Sequence, residues 1–264
     1  MATKTWIGTT ADVTTSGNWS PSGQPTAGDD VIITGTQSID GATLSSAGNL
    51  ASFVIRDYTG TIGSSTSDLV VDVAASGSVE VSTSGTAYLD FNASDTDVTV
   101  YGTASASSGE YGLLLQGTSL NNIYQHAGSV RLTSGTLDAN WYTYSASATA
   151  RVDADAGLVD FVGISPAEIY GQATDIYTTG ATVKYYNKAS GLTVAQAEAG
   201  GEIEYFSDEN IATANAWGGR INGAKNPHTL TVAATSVRDG GSITPGDNWT
   251  ITANPSDRYQ ITSA

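Results

Sequence analysis

The chain has 264 residues, no cysteine, and 26 acidic against 10 basic side chains, for a formal charge of −16. Those values exclude disulfides, thiolate metal sites and a cysteine nucleophile, and they argue against a basic groove for DNA or RNA. Charged residues make up only 14% of the chain, below the roughly 25% of ordinary soluble domains, and no stretch approaches the apolar length of a membrane span.

The opening residues, MATKTWIGTTADVTTSG, carry no apolar run of seven or more. They do not read as a secretory signal peptide, so the expectation is a chain that folds in the host cytoplasm. Residues 17–34, GNWSPSGQPTAGDDVIIT, read as an irregular cap, a turn and a first strand. Trp6 and Trp19 supply large apolar lids. Pro21 and Pro25 cannot donate to a ladder. Gly28-Asp29-Asp30 then turns the chain into Val31-Ile32-Ile33. The predicted N-terminal cap with its first strand is 1–34.

From 35 to 215 short alternating runs dominate: Leu69 to Val73, Val79-Glu80-Val81, Val98 to Tyr101, Val130-Arg131-Leu132, Val183-Lys184-Tyr185 and Ile203-Glu204-Tyr205. Each places apolar side chains on one face and polar ones on the other. Glycine turns separate them: Gly77, Gly102 and Gly128 stand 25 and 26 residues apart, and Gly180 and Gly201 stand 21 apart. A loose period in the twenties, with a short strand after each turn, predicts a right-handed β-solenoid (β-helix) whose coils stack about 4.8 Å apart. A β-sandwich is the alternative, and it would show longer strands. Leu192 to Ala199, LTVAQAEA, is the one segment expected to make a helical turn or two. Residues 216–264 alternate at period 2 between Asp239-Gly240-Gly241 and Pro245-Gly246-Asp247-Asn248 turns. They predict a small antiparallel unit that caps the last coil or docks on a partner, its boundary lying between about Ser207 and Asn222.

The entry segment carries a resemblance. Trp6-x-Gly8, Asn18-Trp19-Ser20-Pro21, Gly23-x-Pro25 and Gly28-Asp29-Asp30-Val31-x-Ile33 resemble the start of β-helical proteins from bacterial surface layers, secreted adhesins and bacteriophage particles. With no export signal in view, the chain is similar to the phage members: capsid decoration or cement proteins, head fibres and tail spikes. The resemblance implies a β-helix and a structural role in a virion.

No constellation announces chemistry. Asp95 with Asp97, and Asp153 with Asp155, would face one side of a strand roughly 7 Å apart, a separation used by inverting glycosidases. No aromatic-lined groove or second catalytic group can be assigned beside them, so the favoured reading is turn capping. The same pairs, with Asp29-Asp30 and Asp208-Glu209, offer oxygens to Ca²⁺, but no Asp-x-Asp-x-Asp-Gly loop or Gly-Gly-x-Gly-x-Asp repeat is present. His126 and His228 lack zinc-site spacing, and no Gly-x-Ser-x-Gly elbow supports a Ser-His-Asp triad. Gly218-Gly219 and Gly240-Gly241 are not phosphate loops. The sequons at Asn18, Asn92 and Asn248 carry no meaning for a cytoplasmically folded phage protein. The expectation is no catalytic residue, no metal and no cofactor.

Thirteen Tyr and five Trp are the more telling population. Trp141, Tyr142 and Tyr144, Tyr185 with Tyr186, and the C-terminal Trp217 and Trp249 are the candidate interface residues, because exposed aromatics are favoured at contact surfaces. Period 2 places Tyr142 and Tyr144 on one face and Trp141 on the other. These features and the resemblance give the expected function: a non-enzymatic decoration or cementing protein on the outer surface of a virion. Its partner would be the major capsid protein of a phage shell, and a homo-oligomer, a trimer for three-fold sites, suits that role. Nucleic acid and membrane are not expected partners. The alternatives are a tail spike or head fibre that grips or hydrolyses host polysaccharide, with glycan as ligand, and a bacterial surface adhesin.

Overall fold

In the computed structural model strands take up 65% of the chain, and the fold is a β-solenoid of about nine turns with parallel sheets. It describes residues 1–44, 49–91, 96–104, 111–145, 148–153, 155–163, 167–186, 191–223, 230–247 and 249–251, without the side chains of 118–119, 136, 138–139, 155, 157 and 230. The only helical turn among them is the 3-10 turn Ser16–Asn18. Coils are carried by two compact units, Met1–Ala139 and Asn140–Ala264, a division that falls inside the 35–215 span read as one solenoid.

In the first unit one ladder runs through Thr3–Trp6, Asp30–Gly35, Leu50–Tyr58, Val73–Thr83, Thr96–Gly102 and the distal part of Leu113–Gln125, each parallel to the strand one turn before. Alternation of β-branched and polar residues makes these strands half-buried. The register then stacks inward side chains in columns. Val31, Phe53, Val79, Val98 and Ile123 form one column, and Ile33, Ile55, Val81 and Val100 the next; all are buried. A second ladder faces it across the core, with columns Ile39–Ile62–Ala87–Leu113 and Leu69–Leu89–Leu115.

The first turn is closed as the sequence predicts. Thr3–Trp6 pairs on one edge with Asp30–Gly35 and on the other, antiparallel, with Trp19–Ser20. Trp6 and Trp19 are buried and meet edge to face at 5.2 Å. Pro21 follows Ser20 directly and is exposed, while Pro25 is buried; Pro21 has no N–H with which to extend the ladder. The loop is tied down by Asn18, which is fully buried. Its Oδ1 accepts from the Thr9 and Thr10 amides at 2.8 and 3.0 Å, and its Nδ2 donates to the Asp12 carbonyl at 2.7 Å. The Trp19 indole donates to the Val13 carbonyl at 2.8 Å. Lys4 Nζ reaches the Pro21 and Ser22 carbonyls.

The second unit is more regular. One ladder comprises Asp155–Val162, Ala173–Thr179, Leu192–Glu198, Ile211–Trp217, Leu230–Arg238 and Trp249–Ile251; the other comprises Ala148–Val152, Ala167–Ile169, Thr182–Tyr185, Glu202–Tyr205, Arg220–Gly223 and Ser242–Thr244. All neighbours are parallel. The column Ala150–Ala167–Val183–Ile203–Ile221–Ile243 is buried throughout, and Tyr185 stacks on Tyr205 at 5.3 Å beside it. Between the two ladders the chain turns a corner on a left-handed residue: Gly163, Gly180, Gly200, Gly218 and Gly240 all have φ between +63° and +79°. Side chains other than glycine rarely adopt that conformation. The following Gly201, Gly219 and Gly241 lie so close to the previous coil that a Cβ would sit 2.2–2.6 Å from a backbone oxygen.

Two expectations are corrected here. Leu192–Glu198 is a strand and not a helical turn. Ala195 and Ala197 stack between Ile176 and Thr178 below and Ala214 and Ala216 above, and these partners outweigh the helix preference of alanine. Residues 216–264 are not an antiparallel unit where described: Leu230–Arg238, Ser242–Thr244 and Trp249–Ile251 each add in parallel. Asp239-Gly240-Gly241 is a corner equivalent to Gly218-Gly219, so the chain passes to the other ladder and does not double back as a hairpin.

Two outcomes follow from the columns and the cap. Ile203→Ala, in mid-column, should lower unfolding free energy by about 2–5 kcal/mol in urea titration. Burial pushes the Asp29 carboxyl up, but hydrogen bonds from the Ala2 and Thr26 amides and the Thr26 hydroxyl outweigh it and hold its pKa below 3.8. Its contribution is therefore complete above the unfolded-chain value and lost as pH falls through the folded-state value. The urea midpoint gap between wild type and Asp29→Asn should be widest near neutrality and close in the acid range.

Candidate functional site

Outward columns, not a cleft, hold the surface residues worth testing. On the second unit, residues one position past each buried Ile169, Tyr185 and Tyr205 point out: Tyr170, Tyr186 and Phe206. The parallel register stacks their rings with nearly parallel planes, Tyr170 on Tyr186 at 4.7 Å and Tyr186 on Phe206 at 4.8 Å. The Arg151 guanidinium lies over the other face of Tyr170, 4.3 Å from its centroid. Tyr170 keeps 40% of its surface exposed. The column thus presents ring edges and hydroxyls, while the Tyr170 and Tyr186 faces are covered. Burial first, then the Glu168 charge, raises both phenols; Glu204 adds to the effect on Tyr186.

Two positions before each ring stands a charge. Register aligns Arg151, Glu168, Lys184 and Glu204 on successive rungs, alternating in sign. The next column outward, Thr182–Glu202–Arg220–Ser242, also sums to zero. Arg151 Nε additionally donates to both oxygens of Asp153 at 2.9 and 3.1 Å.

The expected interface residues divide by this geometry. Trp141 and Tyr185 are corrected: both are fully buried, Trp141 edge to face with Phe161 at 5.9 Å, so they are core and not contact residues. Alternation sends their neighbours out instead, Tyr142 half-buried, Tyr144 53% exposed and Tyr186 in the stacked column. Trp217 is half-buried under the Arg238 guanidinium at 3.6 Å and donates to Ser236 Oγ. Trp249 packs its edge against Tyr205 at 5.7 Å. Tyr170 and Phe206 were not singled out from the sequence. Their signal is the spacing: 170, 186 and 206 repeat the intervals of the buried column one residue earlier.

Of the carboxylate pairs only Asp97 and Asp153 have described side chains, and both are engaged in hydrogen bonds. Asp97 Oδ1 is occupied by Asn121 Nδ2 and by the Asn122 amide and side chain, and Asp153 holds Arg151. Asp95, the Asp155 side chain, His228, Asn92 and Asn248 lie outside the described residues. Asp29 is spent on the cap, and Asp30 accepts from Ser52 Oγ at 2.7 Å. His126 stacks on Tyr101 at 5.3 Å. Among the described residues no group of three His, Asp or Glu side chains is placed to hold a metal, and no helix is long and apolar enough to cross a membrane. One acidic cluster was unforeseen: Asp68, Asp72 and Asp90 gather on the first unit, with the Gln116 amide donating to Asp68.

No protein-family model, curated protein or solved structure matches the chain.

The acidic cluster gives a test of sign. Burial first, and then the Asp72 charge, pushes the Asp90 carboxyl above 3.8. A raised folded-state value contributes stability below the unfolded pKa that is lost as pH rises through it. Asp90→Asn should therefore raise unfolding free energy at pH 7 by about 0.5 kcal/mol, with the gain disappearing near pH 3 in parallel thermal melts.

Proposed function

We propose that this chain is a non-enzymatic structural protein of a phage particle, a decoration or cementing protein that binds an assembled shell as a homo-oligomer. The observation that carries the reading is the Tyr170–Tyr186–Phe206 column: outward aromatics on a parallel ladder, with both faces of Tyr170 and Tyr186 covered and their edges turned outward. A sugar stacks its C–H bonds on an open ring face, where the π density lies. Edges and hydroxyls instead suit the core of a protein contact, where Tyr is enriched. That favours a protein partner over the polysaccharide reading. The Trp6 to Ile33 segment, which resembles phage β-helical proteins, supplies the link to a virion. Excess negative charge supports solubility at the high copy number a decoration protein needs.

Mechanistically the protein acts by mass action. It binds the assembled shell and not its separated capsomers, and so shifts the equilibrium toward the shell. At a hundredfold excess over Kd this supplies about 2.7 kcal/mol per site. Purified protein mixed with undecorated shells of the parent particle should raise their disruption temperature in differential scanning fluorimetry. Unchanged disruption at saturating protein would remove the cementing role, and glycan-array binding in its place would support a receptor-binding fibre.

A further inference from the structure

The alternating charge row has a symmetry that its in-chain role does not require. Read along the ladder it runs Arg151 (+), Glu168 (−), Lys184 (+), Glu204 (−). Read backwards it runs −, +, −, +. A second copy laid face to face with its coil direction reversed therefore presents the complementary row. Arg151 then stands opposite the second copy's Glu204, and Glu168 opposite its Lys184. On the same two central rungs, Tyr170 stands opposite Tyr186. Every pair occurs twice, as in any two-fold contact.

We propose that this outer face of Ala148–Tyr205 is a self-association surface whose occupant is a second, antiparallel copy of the chain. Charge decides the occupant. The chain carries −16, so two copies repel over most approaches. The four residues of this row sum to zero and reverse onto themselves, and with Asp153, which Arg151 holds, they add only one negative charge to the face, so here the repulsion is least and the central Glu168–Lys184 pairs attract. The two-fold arrangement replaces the trimer expected from the sequence. The inference deepens the homo-oligomer part of the proposed function and stands apart from shell binding, which the disruption temperature tests separately. Four rungs at about 4.8 Å make a small contact, so the dimer belongs to the weak, transient class.

Sedimentation equilibrium up to about 1 mM protein, in low and high salt, reads the association directly. The full chain should dimerise; salt screens the row's attraction and the −16 repulsion alike, so the charge variants carry the test at each salt concentration. Glu168→Lys and Lys184→Glu each turn the central pairs repulsive, twice per dimer. Each should weaken association at least about tenfold, although Glu168→Lys lowers the net negative charge and should strengthen association if net charge alone governed it. The double swap Glu168→Lys/Lys184→Glu gives the row +, +, −, −, which still complements its own reverse. It should restore association to near wild type while leaving like charges adjacent within each chain. Circular dichroism and thermal melts identify any variant that fails to fold, and Glu168→Gln, which removes one charge without reversing it, should weaken association to an intermediate degree. A monomer at all concentrations, single variants that associate like wild type, or a swap that fails to restore the dimer overturns the proposal.

Discussion

Parallel, in-register stacking at one rung per turn is the constraint on which everything else in this molecule rests. A coil may be long or short, but it must return its inward residue to the same place in the column, about 4.8 Å further on. Lys4 and Val31 are 27 residues apart and Ile169 and Tyr185 only 16, yet each pair occupies adjacent rungs. Length variation is therefore absorbed outside the ladders. Glycine corners make this possible in the second unit, because the left-handed φ aims the chain from one ladder to the next at the same point of every turn.

The same constraint creates the problem that the first thirty residues solve. A ladder built by addition has a first strand whose outer edge has no preceding coil, and an open edge is a template for pairing with other chains. Trp19–Ser20 occupies that edge in the opposite direction, and Pro21 stops the pairing from continuing. Trp19 covers Trp6 on that side, but the inward column at Lys4 begins on a polar residue. Lys4 takes the inward position that Val31, Phe53 and Val79 fill in later coils, its ammonium bonded to carbonyls of the cap loop. Asn18 turns what would be a frayed loop into a buried hydrogen-bonded knot, and such satisfied polar groups specify one arrangement where an apolar plug would permit several.

Period 2 and recurrent glycine made the solenoid legible. Val183-Lys184-Tyr185 and Ile203-Glu204-Tyr205 face as their alternation predicts. What misled were signals whose meaning depends on the neighbouring coil. LTVAQAEA has local helix preference, and its partners one turn away on either side, Ile176 and Thr178, Ala214 and Ala216, make it a strand. Asp239-Gly240-Gly241 is locally indistinguishable from a hairpin turn; its identity as a corner emerges from the series 163, 180, 200, 218, 240. Trp141 and Tyr185 illustrate the limit for sites. Alternation says that a Trp-Tyr or Tyr-Tyr pair splits between faces, but which member goes inward is set by the phase of the column. Tyr170 and Phe206 become visible only once that phase is known.

In-register repetition has an electrostatic consequence as well. Identical coils would stack like charge on like charge at rung spacing, which is destabilising. Even in the looser Asp68, Asp72 and Asp90 cluster, where Asp90 sits between Val70 and Gln116 in register, burial and neighbouring negative charge push the Asp68 and Asp90 carboxyls up. The Arg151–Glu168–Lys184–Glu204 row takes the opposite course, alternating sign at every rung while the rings two positions on repeat without alternation. Rings tolerate repetition because offset stacking is attractive, whereas charges do not. The outcome is a face on an acidic protein that is close to neutral, with Asp153 on Arg151 its one excess charge, and edged with tyrosine. Repetition thus costs nothing where rings stack, and only alternation of sign lets charges occupy every rung of the same ladder.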